Sequence, residues 1–332
     1  MIELRHYSLV FTFPQVHRKA LLRINFQRTL RIPDDEKTYP LPPGFGAFPL
    51  RHVDDFAGRI PPGWLDHGGV MLPMYQSEAM WLSSASGDGY PFIVKVAAGK
   101  INCITGDPWA DKVNRSPQDY LVVPYQPWLD GYCVEKGRIR QFVAMPLGSG
   151  YTAEEQITGA ADHGGLQLIV HPMKAKAYDK LRAGLDRPGI YQSAVVCESM
   201  DLGMGLAPGG RMKQQIYEDF HDFDVWDLSH RSRCFVHIVN SIGWRAITGE
   251  IPPTLPPTAA QYNRAGLPWF EYYNSDLNVL GGSGKIKRLK SVADLSKDKK
   301  ETVLPENTPI GQAKTITIKR DGKRNIVREG SF

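Results

Sequence analysis

Asp-His-Gly-Gly stands twice in this chain, at Asp66–Gly69 and at Asp162–Gly165. Each copy runs into an apolar stretch ending in Pro-Met, DHGGVMLPM and DHGGLQLIVHPM. Histidine is the side chain best placed to move protons near neutral pH, and a carboxylate beside it can share that work. Asp162 and His163 are therefore the candidate catalytic pair, an acid–base or ligand-contacting couple at a sheet edge. Neighbours on an extended chain project to opposite sides, which weakens their cooperation. The same four residues also read as a turn. Asp accepts hydrogen bonds from its own turn, and paired glycines allow left-handed angles on entry to a strand. Outside the quoted blocks the flanks do not align, so duplication of a whole domain has little support.

A second glycine-rich stretch, DLGMGLAPGGRMKQQIYED over Asp201–Asp219, has the look of a dinucleotide-binding turn. That turn needs backbone amides aimed at a pyrophosphate inside a βαβ series. Pro208 removes one amide and no such series surrounds it, so a bent loop without a nucleotide is expected. If the stretch is helical, Met212, Ile216 and Phe220 share a face; if extended, Met212, Gln214 and Ile216 do. Arg211 and Lys213 remain candidate anion-binding residues.

Polar residues inside apparent strands add three ligand-binding candidates. Gln76 and Glu78 continue the alternating face of Val70, Leu72 and Met74, and Gln141 lies between Ile139 and Val143. Half-buried Gln and Glu need partners, so they either line a wet pocket or mark a bulge where the inward face turns outward. Lys95 is expected to face outward. The chain has no H-E-x-x-H, no H-x-H, no C-x-x-C, no G-K-[ST] and no G-x-S-x-G. No metal site and no cofactor is expected from these patterns. Cys103 and Cys133 sit in apolar hairpins, where burial raises the thiol pKa and leaves it inert. The seven tryptophans lie near turns rich in Tyr, Pro and Gly, a composition that suits a stacking surface or the rim of an aromatic core.

The elements that must position these residues are mostly strands. YPFIVKVAAGKINCITG turns at Ala98–Lys100, and GYCVEKGRIRQFVAMP turns around Glu135–Arg138 with Gly137 supplying positive φ. GGLQLIVHP, IYQSAVVCES and RCFVHIVNS are further strand-length apolar runs. Two helices are marked by capping boxes, Thr152 to Glu155 ending at Gly159, and Thr258 to Gln261 with Gly266 beyond. KAKAYDKLRAG and SIGWRAITG are two more. Strands in hairpins with few helices between them point to a β-rich α+β fold, with antiparallel sheets built from hairpins and a few short helices.

The chain divides by composition into an N-terminal strand and Pro-rich loop (1–62), a β-rich main body (63–280), a Gly/Lys/Ser-rich arm (281–314) and a C-terminal hairpin (315–332) turning at Asp321-Gly322. The arm is poor in aromatics and reads as unable to order itself, so it is expected to dock on its own body or on a second copy. Composition excludes the extremes. Of 332 residues 42% are hydrophobic and 23% charged, as in ordinary globular domains, and the net charge of +5 mixes 40 basic with 35 acidic residues. That balance does not argue for nucleic acid. No secretory signal and no bilayer-length apolar run is read, and widely spaced cysteines suggest no disulfide framework, so the cytoplasm is the expected location. Together these observations suggest a non-catalytic structural or binding protein that self-associates through its C-terminal arm. The alternative is a hydrolase or lyase acting on a small polar substrate at Asp162 and His163.

Overall fold

The structure is a computed structural model, and it describes residues 1–35, 37–183, 203–273, 277–302 and 304–319. The apolar run at 190–199 and the turn Asp321-Gly322 lie outside these residues.

The fold is sheet-rich and mainly antiparallel, with short helices, as the hairpin signals imply. One set of strands runs Ile2–Arg5, Ser8–Thr12, Leu21–Thr29, Ala79–Ser86, Arg138–Pro146 and Met204–Lys213, each hydrogen-bonded to the next. A second set runs Val70–Pro73, Ser232–Val239, Leu166–Pro172, Phe92–Ala98 and Leu121–Val123. The sets touch where Met204 lies opposite Ile238. Period-2 alternation sends Leu22, Ile24 and Phe26 of the first set and Val94, Val96 and Leu168 of the second into one apolar core. Burying each such side chain contributes about 1.5–3 kcal/mol, so the shared core holds the two sets together.

The expected hairpins form with the expected turns. Ala98 pairs with Ile101 across Gly99 and Lys100, both at positive φ, and Glu135 pairs with Arg138 beside Gly137 at φ 71°. Both capping boxes are made, and they start helices Ala153–Thr158 and Ala259–Arg264. Helices Ala175–Ala183 and Ser241–Thr248 also form. Among the described residues no helix is long and apolar enough to cross a membrane.

Two expectations change. The glycine-rich stretch is neither loop nor nucleotide turn: Met204–Lys213 is a strand paired along most of Arg138–Pro146. Its glycines permit close packing. A Cβ on Gly209 would sit 2.5 Å from Val143 Cγ2, and one on Gly210 would sit 2.5 Å from the Pro33 carbonyl oxygen.

The arm is also ordered, and it lies on its own chain. Ser283 caps helix Gly284–Lys287, and Ser291 forms a capping box with Asp294 at the start of helix Val292–Asp298. Ile286 and Val292 are fully buried, Val292 against Val143, Met145, Tyr151 and Ala207. Further on, Thr315–Lys319 pairs in parallel with Trp269–Tyr273. Low overall hydrophobicity misleads here because a few aliphatics at capped helical positions suffice when the body supplies the opposing surface.

Candidate functional site

The two Asp-His-Gly-Gly blocks meet. Strand Ser232–Val239 is central, and Val236 pairs with Val70 on one side and with Leu166 on the other. Each block delivers its strand to the same level of that central strand, and each needs its last glycine to do so. A Cβ on Gly69 would lie 2.1 Å from the Phe235 carbonyl oxygen, and one on Gly165 would lie 2.4 Å from that of Val236. Both glycines also hold positive φ, 91° and 53°. The flanks differ because the blocks are held differently. The first ends helix Pro62–His67, with the Gly68 N–H donating to Trp64 and Leu65 carbonyls. In the second, the buried Glu154 carboxylate accepts from the backbone N–H groups of Asp162, His163 and Gly164 at 3.1, 2.9 and 2.8 Å.

This arrangement builds a histidine–aromatic corner. His67 stacks on Phe235 at 4.6 Å, Phe235 on His237 at 4.5 Å, and His237 on Trp64 at 4.5 Å. His163 meets His67 edge to face with ring centres 5.9 Å apart. His237 is buried, which pushes its pKa down to about 4, and its Nε2–H donates to the Gly68 carbonyl at 3.1 Å. Burial likewise lowers the pKa of the half-buried His163, with the nearby Lys100 charge adding to the effect. Its Nδ1 is enclosed without a hydrogen-bond partner among the described residues. Asp162 is exposed, and its carboxylate makes no hydrogen bond to a described residue; the His163 side chain meets the His67 ring instead of pairing with Asp162.

The proposed ligand-binding residues separate. Gln76 is exposed in the turn after Val70–Pro73, so it does not continue that strand's face. Glu78 is buried against Arg28 in an ion pair, and its Oε2 accepts from the Tyr75 N–H at 2.9 Å. Gln141 is fully buried; its Oε1 accepts from Ile32 N–H and its Nε2 donates to the Leu30 carbonyl, both at 2.8 Å. It fastens the Pro-rich loop to the sheet. Lys95 does not face outward. Its Nζ is buried, donating to Asp119 at 2.8 Å and to the Ala110 and Lys112 carbonyls at 2.6 Å. Gln141 and Lys95 share a reason: a polar side chain on a buried strand face is tolerated where it binds loop backbone, while Glu78 is held chiefly by the Arg28 charge.

Arg211 has a different setting. It stands beside a cleft of about 360 Å³ between the body and the arm. Asp34, Asp35 and Arg140 line it from the body, and Asp294, Lys297 and Asn307 from the arm. The acids are engaged by the chain itself. Asp34 accepts from the Ala293 N–H at 2.9 Å and lies 3.7 Å from Arg140 Nη1. Asp35 accepts from the Tyr39 hydroxyl at 2.8 Å and the Lys37 N–H at 3.2 Å. Asp294 accepts from the Ser291 hydroxyl at 2.9 Å within the helix cap. Behind Asn307 lies Arg31, buried, donating to Asn307 Oδ1 at 2.7 Å while its Nε and Nη1 have no hydrogen-bond partner among the described residues. Lys213 faces a second hollow of about 210 Å³, where it pairs with Glu271 at 2.5 Å. Beside that hollow Gln214 donates to Asp130 at 2.5 Å, and burial pushes the Asp130 pKa up to about 7.

Cys103, Cys133 and Cys234 are buried, and burial raises all three thiols, Cys133 and Cys234 to about 12. At such values the thiolate is scarce, so they are inert packing residues. Compared with protein-family models, with curated proteins and with solved structures, the chain shows no match.

Proposed function

We propose that this chain is a non-catalytic binding protein whose arm-and-body cleft takes a small polar molecule carrying an oxyanion, a carboxylate or a phosphate. The observation that carries the reading is the charge arrangement of the cleft. Its volume of about 360 Å³ falls in the range of small-ligand pockets, roughly 300–1,000 Å³. Its three carboxylates already accept hydrogen bonds from the chain's own backbone or hydroxyl donors. Arg140, Arg211 and Lys297 supply the opposite charge; Arg140 is engaged by Asp34 and the Gly209 carbonyl, and guanidinium and ammonium groups are the usual partners of an oxyanion. No histidine or cysteine is among the described lining residues, so the cleft offers recognition without a general base of the usual kind. A hydrolase or lyase centred on Asp162 and His163 has less in its favour, because those side chains do not converge with the other candidates. Within the arm, Ile286, Leu289 and Val292 are covered by the chain's own body, so self-association would have to use other surface, such as Ile316, which is 45% exposed.

A thermal-shift screen of citrate, malate, inorganic phosphate and a nucleoside monophosphate at constant ionic strength tests this. At least one is expected to raise the melting temperature saturably, and Arg211→Ala is expected to remove the rise. A screen in which every anion behaves like chloride contradicts the reading.

A further inference from the structure

The arm's wall of the cleft carries an amide whose orientation is fixed from behind. Asn307 closes the turn Pro305–Asn307, and its backbone N–H donates to the Leu304 carbonyl at 2.9 Å. Its side chain has an oxygen that accepts and a nitrogen that donates two hydrogens. Arg31 Nη2 stands 2.7 Å from Oδ1. A guanidinium only donates, so the oxygen is the atom turned to Arg31 and the amide cannot be flipped. That leaves Nδ2 for the cleft, which Asn307 lines. The residue is 7% exposed, yet Nδ2 is not shut in by protein and donates to no described residue. It is a donor held rigid with its hydrogens unspent.

The charges of the lining say what such a donor is for. Asp34, Asp35 and Asp294 stand against Arg140, Arg211 and Lys297, three charges of each sign, so the lining has no net charge. A bare oxyanion set against the cations also faces the carboxylates, and it gains little from the field as a whole. A ligand that brings a hydroxyl as well turns a carboxylate into a partner. Asp294 has room for one. Its hydrogen bonds from the Ser291 hydroxyl and N–H, at 2.9 and 3.2 Å, both end on Oδ2, and Oδ1 is not enclosed. A hydroxyl gives one hydrogen and accepts others, so it suits a wall that offers both a fixed amide donor and a carboxylate acceptor.

We infer that the cleft selects an oxyanion with a hydroxyl beside it, the class of hydroxy acids and polyol phosphates, and that Asn307 is the specificity-determining donor. This rests on the oxyanion reading of the cleft, with Arg211 and Lys297 taking the charge. Arg31 acts through Asn307 by holding its amide. A plain oxyanion leaves Nδ2 and Asp294 Oδ1 to water and forgoes both bonds.

The test is calorimetric titration of the full chain, at constant ionic strength and neutral pH, with two matched pairs. Malate and succinate differ by one hydroxyl; glycerol 3-phosphate and propyl phosphate differ by two. The hydroxylated member of at least one pair should bind about tenfold more tightly or better, the size of a hydrogen bond to a charged group. Which pair responds separates a hydroxy acid from a polyol phosphate. Asn307→Asp keeps the shape and an oxygen for Arg31 but removes the donor. Its added charge weakens both members of a pair alike, so the readout is their ratio, which should fall toward one. Saturable binding with equal affinity inside both pairs overturns this inference and leaves the oxyanion reading standing. A hydroxyl preference that Asn307→Asp leaves unchanged overturns the role of Asn307. No saturable binding by any of the four overturns both.

Discussion

The histidine corner and the arm-and-body cleft are built on opposite plans. The corner is made by backbone approach: Gly69 and Gly165 let two strands close on a third, and the rings stack as a consequence. The cleft is made by pairing between segments far apart in sequence: residues 34–35, 140, 211, 293–297 and 307. Geometry that depends on backbone contact tolerates almost no change, whereas charged residues on the more exposed side of a cleft, as Arg211 and Lys297 are, can be replaced with little harm to the fold. The two regions should therefore respond oppositely to mutation. Corner changes should alter stability, and cleft changes should alter binding with stability nearly unmoved.

The largest expected effect is at the corner. Gly69→Ala puts a Cβ 2.1 Å from a backbone oxygen at φ 91°, and it should destabilise the protein by more than about 3 kcal/mol. Gly159→Ala is the matched control. It has φ 75° with nothing within 4 Å, so only the left-handed strain of about 1–2 kcal/mol remains. Urea unfolding measures both. Equal losses would mean that strain alone, and not contact with the central strand, explains the glycines.

Next is the arm. Ile286 is fully buried, and Ile286→Ala should lower stability by about 2–5 kcal/mol if the arm is part of the folded body. A loss below about 0.5 kcal/mol would show that the arm is not docked as described, and the cleft would lose one wall.

The pH dependence should also divide. The unfolded His237 takes up a proton near 6.5 but the folded one only near 4, so between those values the unfolded chain binds more protons. His237 thus makes stability fall as pH drops from 6.5 to 4, by on the order of 2–3 kcal/mol at about 1.4 kcal/mol per unit. Asp130 acts in the opposite sense. Its folded pKa of about 7 lies above the unfolded value near 4, so the folded chain holds the extra proton and stability falls as pH rises from 4 to 7. His237→Phe should flatten the first dependence and Asp130→Asn the second, read as urea midpoints between pH 4 and 8. A midpoint that changes identically in both variants would contradict the assignment.

The smallest stability effect is expected at the cleft. Arg211→Ala and Lys297→Ala should each move unfolding by less than about 1 kcal/mol. A larger loss would make these residues part of the scaffold instead of a recognition surface.

The fold was legible because its signals are local. Gly99-Lys100 and Gly137 mark turns, and Thr152 and Thr258 announce helices through their own caps. Met204–Lys213 was harder, because Pro208 and three glycines are poor strand formers by propensity, and what keeps them extended is pairing with the distant strand Arg138–Pro146. The arm's second helix was missed because its box uses Asp294 where Glu or Gln is the usual reciprocal partner. Of the site residues, His163 could be named from its motif but its partner could not. The repeat itself held that signal, since two like blocks entering strands can converge on one neighbour. Glu78 and Gln141 were correctly seen as polar groups needing partners, yet nothing local says that those partners are Arg28 and the Pro-rich loop. Asp34, Arg140 and Asn307 carry no motif, because charges assembled across a fold obey no spacing rule.

The central claim is that the cleft recognises an oxyanion through Arg211 and Lys297. Titration calorimetry with citrate and with inorganic phosphate, on the full chain and on the Arg211→Ala/Lys297→Ala double variant, tests it most directly. The account predicts one saturable site that the double variant weakens at least tenfold, with affinity falling as NaCl is raised. Equal affinity in both proteins, or no saturation by either anion in the unaltered chain, would contradict it.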